Sequence, residues 1–174
     1  MKRKVLVAYA TKSGATAEIA EAVADEIRNG NLEVDLAEAS KVESIDDYDA
    51  VIVGSAVYFD HWRPEAVRFL RHFRRKLTLK RVWLFQDGPL EQDFIESMRP
   101  LPHKVLTLAD EIGVIGSVTF GGRLPENASG PIAGWIAKTY AGDYRDFDEI
   151  RKWASAIGAK LTGRSSESDN KVIA

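Results

Sequence analysis

The chain contains no cysteine. That excludes disulfides, thiol redox chemistry, a cysteine nucleophile and cysteine-ligated zinc or iron–sulfur centres. Histidine is scarce: His61, His72 and His103 are the full set, and none stands four residues from another. A histidine metal centre is therefore disfavoured. Charge of one sign is also missing, since 24 Lys and Arg oppose 26 Asp and Glu for a net charge of −2. A dedicated nucleic-acid binder is ordinarily clearly basic. Long apolar runs are absent too. The N-terminal MKRKVLVAYA is basic and then apolar, but its apolar part is about six residues, short of the roughly 7–15 of a secretory signal. Nothing approaches the roughly 20 apolar residues that span a bilayer. These absences predict a soluble, cytoplasmic protein in which any electron chemistry is carried by a bound group.

What is present is an ordinary globular mixture over 174 residues, 45% hydrophobic and 29% charged. It predicts one domain over residues 1–162, followed by a polar, disordered tail at 163–174. Strand and helix patterns alternate from the start. Val5–Ala10, Asp49–Ser55, Arg81–Phe85 and Val114–Phe120 are short apolar runs, as expected of strands buried on both faces of a parallel sheet. Leu32–Ala37 alternates apolar and acidic residues and reads as an edge strand. Helical spacing marks Ala15–Arg28, Pro64–Leu77 and Asp146–Leu161, the last opened by a D-x-x-E capping box at Asp146 and Glu149. A mixed segment with Pro100 and Pro102 precedes the fifth strand, and a short apolar helix is expected at Ile132–Tyr140. The fold class is α/β: a doubly wound five-stranded parallel sheet with helices on both faces.

Ligands of such sheets bind beyond the carboxyl ends of the strands, so the loops there matter most. Thr11-Lys12-Ser13-Gly14-Ala15-Thr16 joins the first strand directly to a helix. It offers three hydroxyls, a glycine and the N–H groups of a helix N-terminus, a setting for a phosphate monoester. The plain alternative is a capping turn without a ligand. The loop is neither G-x-x-x-x-G-K-S/T nor G-x-G-x-x-G, which disfavours a nucleoside triphosphatase and a dinucleotide fold.

T-x-S-G-x-T after a buried first strand resembles the phosphate loop of the flavodoxins, and the likeness extends over about residues 4–162. The stretches VGSAVYFDHWRPEAVRFLRHF, RVWLFQDGPL, FGGRLP and AGDYRDFDEIRKWA are similar to the flavodoxin-domain branch of menaquinone-dependent protoporphyrinogen oxidase. The resemblance implies a flavodoxin-like fold and FMN as cofactor, with no metal. It implies that Thr11, Lys12, Ser13, Gly14, Ala15 and Thr16 hold the phosphate. Ser55, Ala56, Val57 and Tyr58 would border the ring system, with Tyr58 or Trp62 flanking it, unless both aromatics are core. Gln86, Asp87, Gly88 and Pro89 would contact it mainly through backbone. Relatives often carry glycine near Asp60-His61 and hydroxyl residues before Gly88-Pro89, and this chain departs at both places. Asp60 and His61 either tune the flavin or face solvent.

The long connection Gly121–Arg145 offers Arg123, Trp135, Lys138, Tyr140, Tyr144 and Arg145, either as a cover over the flavin and its substrate or as a structural lid. Arg63, Arg68, Arg71, Arg74, Arg75, Lys76, Lys80 and Arg81 form a basic face, either solvated or suited to an anionic membrane surface or an acidic partner. The resemblance implies an FMN-dependent oxidoreductase taking a small molecule such as a porphyrinogen, with a quinone acceptor. The alternatives are an electron carrier binding a redox protein and a flavin-free interaction domain. No side chain is required as nucleophile or base, so none is assigned a catalytic role.

Overall fold

A computed structural model describes residues 3–88, 101–124 and 142–163. Pro89, the expected helix at 132–140 and the tail from 164 lie outside them. In chain order the elements are β1 (Lys4–Ala10), α1 (Ala15–Asn29), β2 (Glu33–Glu38), a 3-10 turn (Ala39–Lys41), β3 (Ala50–Tyr58), β4 (His61–Trp62), α2 (Pro64–His72) and α3 (Arg74–Leu77). They continue with β5 (Arg81–Gly88), α4 (His103–Ile112), β6 (Gly116–Gly121), β7 (Arg123–Leu124), β8 (Gly142–Asp143) and α5 (Phe147–Thr162).

Five strands form the parallel sheet in the order β2-β1-β3-β5-β6, with β4 added antiparallel to β3. β7 and β8 pair separately, antiparallel. The apolar runs of β1, β3 and β5 are near-continuous because these strands are covered on both faces. Leu6, Val51, Val53 and Leu84 point to one face, packed by Phe69 and Leu70 of α2 and by Val105 and Ile112 of α4. Val5, Val7, Ile52 and Phe85 point to the other, packed by Ile19, Val23 and Ile27 of α1 and Ile150, Ala154 and Ile157 of α5. Alternation at period two thus feeds two cores from one sheet.

The five strands and their parallel sense agree with the sequence pattern, and β2 lies at one edge of the sheet with β6 at the other. The predicted helix 64–77 divides at Phe73 into α2 and α3. α4, unassigned in the sequence reading, carries its own signals: Pro102 at the N-cap and Gly113 in left-handed conformation (φ 77°) at the C-cap. Asp146 caps α5, its side chain accepting from the N–H groups of Asp148 and Glu149 at 2.9 and 3.1 Å. Among the described residues no helix is long and apolar enough to cross a membrane.

Gly54, in the middle of β3, lies under the ring of Phe85 on β5, and a Cβ there would fall inside that ring. Gly54→Ala is expected to cost about 1–3 kcal/mol by overpacking. Phe85→Leu in the same chain should recover part of the loss, so that the two changes are non-additive in urea unfolding.

Candidate functional site

The chain winds from β1 through α1 to β2 on one side and from β3 through α2 to β5 on the other. The strand order therefore reverses between β1 and β3, and the loops leaving these two strands diverge. A crevice opens there, lined by Ser13, Ala15 and Thr16, by Ala56, Val57 and Tyr58, and by Asp87 and Arg123. All four sequence-predicted segments contribute to it. Register explains this, since Ala10 pairs with Ser55, Ser55 with Gln86 and Ala56 with Asp87, so the strand ends lie side by side.

Within the first loop the hydroxyls have different employment. The Thr11 hydroxyl accepts the N–H of Gly14 at 2.9 Å, and Gly14 takes φ 89° as the N-cap of α1. Lys12 and Ser13 are exposed at the mouth, and the Lys12 ammonium lies 5.0 Å above the Tyr58 ring. Ala15 and Thr16 are buried. The Thr16 hydroxyl donates to the Asp87 carboxyl at 2.6 Å, 71 positions away in sequence.

Side chains of the second and third segments mostly turn inward. The Ser55 hydroxyl accepts the N–H of Arg63 and donates to the carbonyl of Ala56, both at 2.9 Å. Gln86 accepts from the Trp62 indole N–H at 2.8 Å and donates to the Thr119 hydroxyl at 3.0 Å. Trp62 is consequently a core residue bracing β4 to β5, and Tyr58 is the aromatic that lines the crevice. What these segments offer a ligand is backbone, small side chains and Tyr58.

Between Tyr58 and His61 the chain turns through Phe59 (φ 47°) and Asp60 (φ 59°). Two consecutive left-handed residues make a tight hairpin of the kind that ordinarily uses Asn-Gly. The departure from glycine noted in the sequence is thus a bulky residue held in a disfavoured conformation, with Phe59 76% exposed. Asp60 and His61 are exposed, and the His61 Nδ1 lies 2.6 Å from the Phe59 carbonyl oxygen.

Arg123 and Arg145, both sequence candidates, have separate places. Arg145 is nearly buried, paired with Asp143 at 2.6 Å and with Glu18 of α1. It serves the framework, and Glu18 and Asp143 are held below the usual carboxylate range chiefly by its hydrogen bonds. Arg123 pairs with Glu18 at 3.2 Å and also lines the crevice. Tyr144 lies outside the crevice lining, while Trp135, Lys138 and Tyr140 lie outside the described residues. Of the basic face, Arg63, Arg74 and Lys76 pair with Glu65, Glu111 and Asp46 at 3.2, 3.0 and 2.7 Å. Lys80 and Arg81 donate to the carbonyls of Tyr48 and Lys160. Arg68, Arg71 and Arg75 remain exposed.

The donor set suits a phosphate monoester. It comprises the first-turn N–H groups of α1, which lack partners within the helix, the hydroxyls of Thr11 and Ser13, and the charge of Lys12. Residues 6–125 match the family model for the flavodoxin domain, and the chain belongs to that family. Family membership indicates FMN binding and an FMN-type redox function. Protoporphyrinogen IX dehydrogenase (quinone) of Escherichia coli K12 is 26% identical over 77 residues, 43% of this chain and 42% of that protein, so the match spans less than half of that relative. Among solved structures, rubredoxin oxygen:oxidoreductase from Desulfovibrio gigas superposes with a TM-score of 0.64 at 16% identity, over 94% of this chain and 37% of that one. Oxidised flavodoxin 2 from Bacillus cereus gives 0.58 at 20% identity, over 93% and 99%. These two likenesses are of fold.

Asp87 is the least conventional member of the site. Burial pushes its carboxyl up to about 7, against the opposing pull of Thr16 and Arg145. An unfolded Asp titrates near 3.9, so between about 4 and 7 the folded chain keeps a proton that the unfolded chain gives up. Stability must fall as pH rises through that window. Asp87→Asn removes the effect. Between pH 5 and pH 8 the flavin-free variant should gain about 2–3 kcal/mol relative to wild type in urea unfolding, from about 1.4 kcal/mol per pH unit.

Proposed function

We propose that this protein is an FMN-dependent oxidoreductase acting on a flat, anionic small molecule, with a tetrapyrrole of the porphyrinogen type as substrate and a quinone as electron acceptor. The carrying observation is the convergence of the α1 N-terminus and Ser13 with Ala56–Tyr58 and the end of β5 in one crevice, with Lys12 over the Tyr58 ring. In this reading Thr11, Lys12, Ser13, Gly14 and Ala15 hold the phosphate, while Ser55–Tyr58 and Gln86–Gly88 border the ring. Thr16 acts from behind the loop through Asp87. FMN, when bound, supplies the electron chemistry, and the protein supplies binding and orientation.

Two observations support the substrate class. Arg123 brings a guanidinium to the crevice wall, and guanidinium groups pair with carboxylates in defined geometry. Phe59 presents an exposed ring on a hairpin that leaves Tyr58, a surface for a flat molecule. The similarity to a protoporphyrinogen dehydrogenase over part of the chain points the same way. A second reading, an electron carrier, is favoured by the same Phe59, since an exposed ring beside the site also suits a protein partner.

Fluorescence titration tests the first element. Thr11→Ala and Ser13→Ala should each weaken FMN by about 1.5–3 kcal/mol, the usual contribution of a hydrogen bond to a charged group. Undiminished affinity in the double variant would refute the phosphate assignment. Anaerobic turnover of protoporphyrinogen IX with a quinone tests the second. Arg123→Ala should keep FMN yet lose at least tenfold in turnover, about 1.4 kcal/mol. A parent protein that binds FMN and shows no turnover leaves the carrier reading.

A further inference from the structure

We infer that Asp87 is a proton-holding positioning residue of the cofactor site: the phosphate of FMN is bound with Asp87 as its neutral acid, so that binding above neutral pH takes up a proton. This rests on the preceding assignment of the phosphate to the Thr11–Ala15 loop.

The geometry places the carboxyl directly behind that loop. Asp87 is 4% exposed, and its Oδ1 accepts from Thr16, a fully buried residue in the first turn of α1. Its Oδ2 faces the backbone of Gly122, where there is no room for a side chain beside the carbonyl of Gly88. One hydrogen-bonded residue thus separates a buried carboxyl from the backbone that would cradle a dianion.

The charged groups around it offer little compensation. From α1 comes Thr16, from β3 Tyr58 with the Lys12 ammonium over its ring, from β7 Arg123, and from the chain after β8 Arg145, the two arginines bringing Glu18 and Asp143 with them. Arg123 and Arg145 are engaged by Glu18 and Asp143, two cations against two carboxylates. That network is internally neutral, and the pull of Arg145 on Asp87 does not offset the cost of burying the charge. Burial raises its carboxyl to about 7 even against the hydrogen bond from Thr16 and the charge of Arg145. A nearby dianion acts in the same direction, since a like charge favours the uncharged acid. The phosphate is itself dianionic above about 6, so the repulsion operates across the alkaline range.

The linkage has a definite sign. Above about 7 the free protein has given up the Asp87 proton and must regain it to bind, so affinity falls by up to about tenfold per pH unit. The measurement is the dissociation constant of FMN from the full-length protein between pH 6 and 9. Titration calorimetry at pH 8 in two buffers of different ionisation enthalpy counts the protons. Wild type is expected to weaken at least tenfold from pH 7 to pH 9 and to take up close to one proton per FMN. Asp87→Asn, which keeps the acceptor for Thr16, should vary less than threefold and take up none, and Asp87→Ser serves if the amide does not fold. Riboflavin, which lacks the phosphate, should show no such slope. FMN binding that is flat with pH in wild type, or equally steep in Asp87→Asn, overturns the inference while leaving the phosphate assignment intact. So does riboflavin affinity that falls as steeply as that of FMN. Absence of FMN binding at every pH overturns both.

Discussion

One buried hydrogen bond, from Thr16 to Asp87, sets where the first loop stands relative to the sheet. α1 packs on the sheet through Ile19, Val23 and Ile27, an apolar contact without directional bonds. The hydroxyl–carboxyl bond does not tolerate displacement, because a donor and acceptor at 2.6 Å inside a dry interior lose their value within a few tenths of an ångström. The helix N-terminus is thereby pinned to the end of β5, two strands from β1, the strand that leads into it. A titratable carboxyl buried in the wall of the crevice is a costly anchor in stability. It also makes the geometry of the loop and the proton state of the interior one variable.

A second brace runs beneath the first. Trp62, Gln86 and Thr119 form a chain of two hydrogen bonds across β4, β5 and β6. Each is a polar atom buried or half-buried at a strand end, and each satisfies its neighbour, so the carboxyl edge of the sheet is stiff without being apolar. Ser55 does the same for the turn into α2. The polar residues at this edge are therefore divided in labour. Those pointing down hold strands in register, and Lys12, Ser13 and the backbone of the first loop are left to meet a ligand.

The two-sided sheet was legible in the sequence because its signal is repeated: every central strand is an apolar run and α1 and α5 have a well-formed stripe. α4 was less legible, its apolar residues following two prolines that favour extended chain over helix. The first loop was legible as a motif, and the partners of its hydroxyls were not. Nothing in T-x-S-G-x-T says that Thr16 reaches a residue 71 positions on, since that pairing depends on strand order. Trp62 illustrates the same limit. Beside Tyr58 it reads as one more aromatic of a ring-flanking loop, but the hairpin at Phe59-Asp60 reverses the chain and sends it under the sheet. The missing glycine there was visible, and its consequence, two left-handed residues, required coordinates.

The β7–β8 pair gives the long connection a fixed doorway. Arg123 pairs with Asp143 in register, Leu124 pairs with Gly142, and Glu18 clasps both Arg123 and Arg145. Whatever chain runs between Leu124 and Gly142 leaves and returns at two adjacent points anchored to α1. Lengthening a loop whose ends are already closed costs little, roughly 0.6 kcal/mol per doubling. The doorway consequently behaves as a cassette port at the rim of the crevice. Segments of different length can be accommodated there at little cost to the sheet.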